Sequence, residues 1–187
     1  MKKLLAAALT FSFLLFPALT WAQKAETVKK SRILIAFYSW GGNTRTIAET
    51  IRKTTGGTLF EIQCVKPYPK DFKSCVKVAR KDIKTGTPIK AFPDVSKYDV
   101  IFVGSPNWFG TMAPPVRTFL ARKELAGKTI FPFFTHGSGG MQNCERDVKA
   151  LCKKQKLFPA LALPGKDVKK AAPKVQSWIK KYLKITK

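Results

Sequence analysis

Short apolar runs and amphipathic segments alternate along most of the chain. The apolar runs are typical of strands buried on both faces of a sheet, and they cover residues 33–37, 58–63, 100–104, 129–134 and 160–163. Helical spacing of apolar residues occurs around 47–51 and over 72–83, 116–123, 144–154 and 168–183. Strands that alternate with helices predict an α/β fold, with a parallel sheet covered on both faces.

The first 22 residues have the layout of a secretory signal peptide. Two lysines precede an uncharged, mostly apolar stretch over residues 4–16, and small residues at positions 20 and 22 suit a signal peptidase. A transmembrane anchor is the alternative, but the stretch is shorter than the roughly 20 residues that a bilayer requires. We expect cleavage after Ala22, a lead-in over 23–31, and one domain over 32–187 without a membrane span. The expected location is the periplasm or another exported compartment.

Charge is the most unusual property of the composition. The formal net charge is +24, and removal of Lys2 and Lys3 with the signal peptide lowers it to +22. Such a charge predicts attraction to an anionic partner, although a lysine-rich solvated surface is the simpler alternative. We expect no nucleic acid partner, because an exported protein does not meet one.

The four cysteines Cys64, Cys75, Cys144 and Cys152 allow three disulfide pairings in an oxidising compartment. Cys64 with Cys75 is the local choice. Cys144 with Cys152 is disfavoured, because eight residues of helix rise about 12 Å and bridged Cα atoms lie within roughly 7 Å. No metal site is expected, since there is no C-x-x-C motif and His136 is the only histidine.

Three loops at the carboxyl ends of predicted strands carry the candidate chemistry, because a parallel sheet binds ligands at that edge. In the first loop, over 39–44, adjacent glycines let backbone N–H groups converge on an anion, and the following helix directs its positive end there. The side chains of Ser39, Asn43 and Thr44 add donors. No lysine follows as in a nucleotide-triphosphate loop, so we expect a phosphate monoester; a tight connection is the alternative.

The second and third loops supply a surface for a planar ligand. The second loop, over 105–110, contains adjacent Trp108 and Phe109, which could stack on a ring or pack under the prolines that follow. The third loop, over 135–140, has three glycines in four residues, which suits close approach to a ligand edge. His136 in this loop could donate to a ring carbonyl or have a structural role.

Together these segments resemble the flavodoxin family. The resemblance rests on Tyr-Ser-x-x-Gly-Asn-Thr over 38–44, Gly-x-Pro-x-Trp over 104–108 and Thr-His-Gly over 135–137, and it extends from Arg32 to Tyr182. It implies a three-layer, doubly wound flavodoxin-like fold, with a five-stranded parallel sheet in the order 2-1-3-4-5. It also implies non-covalently bound FMN.

The resemblance assigns three groups of FMN-binding residues. The phosphate group comprises Ser39, Gly41, Gly42, Asn43 and Thr44, with Trp40 beside it. The isoalloxazine group comprises Pro106, Asn107, Trp108, Phe109 and Gly110, and the pyrimidine-edge group comprises His136, Gly137, Ser138, Gly139 and Gly140. No catalytic side chain is assigned, because no acid–base or nucleophilic constellation is evident.

The resemblance indicates an FMN electron carrier or a small flavin oxidoreductase, and electron transfer is favoured over substrate turnover. Nicotinamide cofactors are generally scarce outside the cytoplasm, which argues against an NAD(P)H-dependent quinone reductase of the same fold. Flavodoxins are typically acidic, whereas this chain is basic, so we expect an acidic redox partner and a less negative second flavin potential. A flavin-free binding module that holds an acidic partner is the alternative. A polyanion binder that uses the lysines of the last helix is a third interpretation.

Overall fold

The computed structural model describes residues 25–186. The predicted signal peptide and the first two residues of the lead-in lie outside the described residues. The strands are β1 (Glu26–Lys29), β2 (Ile33–Phe37), β3 (Thr58–Glu61), β4 (Val100–Trp108), β5 (Thr111–Met112), β6 (Thr129–His136), β7 (Lys156–Leu157), β8 (Leu161–Pro164) and β9 (Leu183–Thr186). The helices are α1 (Asn43–Thr55), α2 (Phe72–Asp82), α3 (Pro114–Leu120), α4 (Cys144–Leu151) and α5 (Ala172–Tyr182).

The central sheet has its principal parallel strands in the order β3-β2-β4-β6-β8, which confirms the predicted 2-1-3-4-5 arrangement. The predicted number of five strands is wrong, because the sheet has seven. Strand β5 pairs antiparallel with the end of β4, and the edge strand is divided into β7 and β8. β7 pairs with Thr129 and Ile130, and β8 pairs with β6 from Phe133 onward. Pro132, which has no N–H to donate, lies opposite the interruption.

Alternate residues of each central strand enter two separate apolar cores. In β2, Leu34 and Ala36 join the core that also contains buried residues of α2, α3 and α4. Ile33, Ile35 and Phe37 join the core formed with α1 and α5. This division explains the continuous apolar runs, since a strand covered on both faces has no solvent-facing positions.

The centre of the sheet depends on the missing side chain of Gly104 in β4. Phe133 on β6 is the register partner of Gly104, and a Cβ atom on Gly104 would lie 2.2 Å from the Phe133 ring. The ring therefore occupies the space that any larger residue would require. The glycine of the Gly-x-Pro-x-Trp motif thus has a packing role, immediately before the loop that carries Trp108.

Several predicted boundaries change because distant segments pair. β4 continues to Trp108 through its ladders with β5 and β6, and β6 continues to His136 through its ladder with β8. The predicted last helix is wrong at both ends. Its first part is a 3₁₀ helix over Gly165–Lys170, and Leu183 begins β9. β9 pairs in parallel with β1, so much of the predicted lead-in is a strand.

The four cysteines are free thiols in the structure, so the Cys64–Cys75 bridge that spacing favoured is not formed. All four side chains are buried in the core beneath α2, α3 and α4. Burial raises the pKa of Cys64 and Cys152 to about 11 and that of Cys144 to about 12. Among residues 25–186, none of the helices has the length and apolar character needed to traverse a bilayer.

Candidate functional site

A cleft of about 500 Å³ lies at the carboxyl ends of β2, β4, β6 and β8. It is within the range of roughly 300–1,000 Å³ that small-molecule sites occupy, and it lies where the strand order reverses. Ten predicted site residues line it: Ser39, Trp40, Gly41, Asn43, Thr44, Pro106, Asn107, Trp108, His136 and Gly137. The topology therefore brings residues of all three predicted loops to one surface.

The first loop has the backbone geometry of an anion cradle. Gly42 has a φ of +87° and precedes the first residue of α1. Its carbonyl accepts the Thr46 N–H at 3.0 Å, and the Arg45 N–H donates to the Ser39 hydroxyl oxygen at 3.2 Å. The N–H groups of Asn43 and Thr44 begin the helix and bond to no other described residue. They are available, with the positive end of the helix, to an anion.

A pair of buried hydroxyls connects the first loop to β6. The Thr44 and Thr135 Oγ1 atoms lie 2.8 Å apart, and both residues also line the cleft. The pair holds two hydroxyl protons, and the bond between them uses one. The second proton can be donated elsewhere, so the contact fixes the loop and still leaves a donor.

Trp108 forms the centre of an aromatic wall. Its ring makes edge-to-face contacts with Tyr38, Trp40 and Tyr68, at centroid distances of 5.7, 6.5 and 5.1 Å. The Trp40 ring, which the sequence did not place, is further held by its Nε1–H, which donates to the Pro69 carbonyl at 2.9 Å. These contacts present a fixed apolar surface to a planar ligand.

Asn107 and His136 hold the second and third loops together. The Asn107 amide nitrogen donates to the Gly140 carbonyl at 2.8 Å, and its amide oxygen accepts the Gly110 N–H at 3.0 Å. His136 Nδ1 accepts the Gly140 N–H at 3.2 Å, which leaves Nε2 as the N–H donor of the neutral ring. The Asn107 amide is thus engaged within the protein, whereas His136 retains a donor.

Six predicted site residues do not line the cleft. Gly42, Gly110, Ser138, Gly139 and Gly140 shape the loops around it, and Phe109 lies outside. Phe109 has a φ of +54°, is 45% exposed, and has the Arg80 guanidinium carbon 5.1 Å from its ring centroid. Neither stacking in the cleft nor burial under the prolines describes its position.

Sequence analysis missed four residues of the lining: Phe72, Thr135, Gly165 and Lys166. Phe72 comes from the start of α2, and Gly165 and Lys166 follow β8. Strand β8 ends next to β6, so the residues after it belong to the same edge, and that topology was the available signal. Lys166 is the one Lys, Arg, Asp or Glu among the described lining residues, and its charge suits a phosphate.

The fold is α/β, and its cleft joins unpaired backbone N–H groups after one strand to an aromatic wall after the next. The family model for flavodoxins matches residues 32–182, and the chain belongs to the flavodoxin family. The structure of a putative flavoprotein from Bacteroides eggerthii is 27% identical to this chain. The match covers 80% of this chain and 96% of that protein, with a TM-score of 0.69. A putative flavoprotein from Bacteroides uniformis is also 27% identical. That match covers 80% of this chain and 98% of that protein, with a TM-score of 0.70. A flavoprotein from Lactobacillus acidophilus, solved in complex with FMN, is 24% identical. That match covers 75% of this chain and 97% of that protein, with a TM-score of 0.61.

Proposed function

We propose that the protein is an exported FMN-binding electron-transfer protein that docks an acidic redox partner. The observation that carries the proposal is the cleft, which joins an anion cradle to a rigid aromatic wall at the switch point of the sheet. Family membership and the FMN complex of the Lactobacillus acidophilus structure support the choice of ligand.

The cofactor is FMN. The free N–H groups of Asn43 and Thr44 would hold its phosphate, with the Lys166 ammonium opposing the phosphate charge. Trp108 would lie against the isoalloxazine, and His136 Nε2 could donate to its edge. Bound FMN supplies one- and two-electron transfer, and the protein orients it and tunes its electrostatic environment.

An apolar surface with cations around it supports a protein partner. Trp40, Phe72 and Phe109 are 37%, 75% and 45% exposed and lie at or beside the cleft. Arg80 and Lys70 adjoin this surface. Exposed aromatic residues with surrounding cations suit an interface with an acidic protein, and the net charge of +22 that remains after removal of the signal peptide would steer such a partner toward it.

Export is supported by the charged, apolar and small-residue segments of the first 22 residues. Expression in an export-competent bacterium, followed by fractionation and N-terminal sequencing, tests it. We expect periplasmic protein that begins at Gln23. Retention of Met1 on cytoplasmic protein would contradict the proposal.

The flavin site is tested by two adjacent aromatic residues. Replacement Trp108→Ala removes a wall of the cleft, and we expect FMN affinity to fall about tenfold, consistent with the roughly 1–3 kcal/mol of aromatic stacking. Phe109→Ala is the matched control, because Phe109 lies outside the cleft, and it should leave FMN affinity unchanged. The measurement is titration of flavin-free protein with FMN by fluorescence. Wild-type protein that stays colourless and binds no added FMN would favour the flavin-free binding module.

A further inference from the structure

A second cavity, of about 620 Å³, lies at the carboxyl ends of β2 and β3. It shares Ser39, Trp40 and Gly41 with the FMN cleft. Apart from Tyr38, Arg45 and Lys90, the rest of its described lining lies within residues 61–70, at the end of β3 and after it. We propose that this cavity binds a small planar aromatic anion, at a site separate from FMN.

The inner wall of the cavity is aromatic and apolar. Tyr38, Ile62, Cys64 and Tyr68 are buried in the core and also line the cavity. The Tyr38 and Tyr68 rings meet edge to face, with centroids 6.3 Å apart. Trp40 extends this wall toward the solvent. Such rings favour a ligand that is itself planar and aromatic.

One hydroxyl donor in this wall has no hydrogen-bond partner among residues 25–186. Tyr38 is 8% exposed, and its hydroxyl makes no hydrogen bond to another described residue. Tyr68 differs, because its hydroxyl donates to Asp82 at 2.7 Å. Burial raises the pKa of Tyr38, so its hydroxyl keeps its proton at neutral pH. The hydroxyl oxygen is not sealed from solvent, so an acceptor on a ligand would take the place of a water at this donor.

The rim determines the sign of the ligand charge. Arg45, Lys70 and Lys90 line the rim, together with Glu61. Arg45 forms an ion pair with Glu61, so these two charges offset each other. Neither lysine has an ion-pair partner among the described residues, and the two leave the cavity with a net positive charge. The rim therefore favours a carboxylate, sulfonate or phenolate on the ring.

The test compares two probes of the same shape, 2-naphthoate and the neutral 2-naphthamide. Each is titrated into the FMN-saturated and the FMN-free full-length protein by calorimetry. We expect one equivalent of 2-naphthoate to bind in both forms, about tenfold more tightly than the amide, without release of FMN. Equal affinities, absence of binding, or displacement of FMN by 2-naphthoate would overturn the proposal.

Variants locate the probe. Tyr38→Phe removes the donor and keeps the ring, and K70Q/K90Q removes the unpaired charges from the exposed rim. Each should weaken 2-naphthoate about fivefold, and the lysine variant should leave FMN affinity unchanged. Tyr182→Phe and Lys170→Gln are matched controls, since neither residue lines the cavity. If Tyr38→Phe does not fold, the lysine variant decides alone, and unchanged 2-naphthoate affinity there would refute the site. The FMN titration of these variants distinguishes failure here from failure of the flavin site.

Discussion

Gly42 determines the course of the first loop, because its backbone lies in the left-handed region at a φ of +87°. We expect Gly42→Ala to lower the free energy of unfolding by about 1–2 kcal/mol, the cost of that region for a residue with a Cβ. Gly41→Ala is the control, because Gly41 has no positive φ and a Cβ there would meet open space. Urea unfolding of the flavin-free proteins measures both. Equal stability of the two variants would show that the loop relaxes without cost.

Individual residues of the site were predictable where the backbone carries the function. Adjacent glycines before a helix indicate an N–H cradle, and in the structure the turn at Gly42 leaves the N–H groups of Asn43 and Thr44 without a partner among the described residues. Side-chain roles were less accessible. Asn107 was assigned to the isoalloxazine lining and does line the cleft, but the hydrogen bonds of its amide to Gly140 and Gly110 were not predicted. Thr135 was missed, because its bond to Thr44 spans 91 positions and leaves no local pattern.

Burial should make Cys144 unreactive in the native protein. Its pKa is raised to about 12, so the thiol form dominates at pH 8 and the nucleophilic thiolate is scarce. We expect negligible alkylation by iodoacetamide at pH 8 and rapid alkylation in urea, followed by mass spectrometry. Because the folded pKa lies above that of the unfolded chain, any stabilisation from this thiol is lost as pH rises beyond about 9. Fast labelling of native protein would contradict the burial.

At the scale of elements, the pairing of β9 with β1 is a testable contribution to stability. Leu183 is buried in the core with α1 and α5, whereas Lys184 on the other face of β9 is exposed. Leu183→Ala should lower the free energy of unfolding by about 2–5 kcal/mol, the usual cost of truncating a buried leucine. Lys184→Ala should change it by less than about 0.5 kcal/mol. Chemical denaturation compares them, and similar losses would mean that β9 is not packed as described.

Strands made of continuous apolar residues were predicted from the sequence, whereas strands with mixed polar and apolar residues were not. The run at Ile33–Phe37 is a strand with the predicted bounds. Strands β1 and β9 have mixed polar sequences, Glu-Thr-Val-Lys and Leu-Lys-Ile-Thr, and each is defined by the other at the opposite end of the chain. β4 extends to Trp108, beyond its predicted end at residue 104, because its last residues pair with β5. Hydrogen bonds between distant segments determine where these strands begin and end, and the hydropathy of the local sequence does not predict such bonds.

For the whole molecule, the charge of +22 that remains after removal of the signal peptide predicts the reduction potential of bound FMN. A positive field stabilises the anionic, fully reduced flavin, so we expect a second reduction potential less negative than in acidic flavodoxins. At 0.1 M salt, exposed charges that lie more than about 10 Å from the flavin are largely screened. The second reduction potential should therefore become more negative as salt is added. Spectroelectrochemical titration between low and high salt measures this. A strongly negative potential with no salt dependence would contradict the electrostatic argument.

The parallel ladder between β1 and β9 also has a consequence for biosynthesis. The first strand of the described fold pairs with β9, so a nascent chain cannot complete this ladder before residues 183–186 have been synthesised. A prematurely terminated chain would carry β1 with unpaired backbone groups. Such an edge is a template for another chain, including the β9 of a second molecule. Truncation of the chain before β9 should therefore favour exchange and aggregation before it abolishes the central sheet.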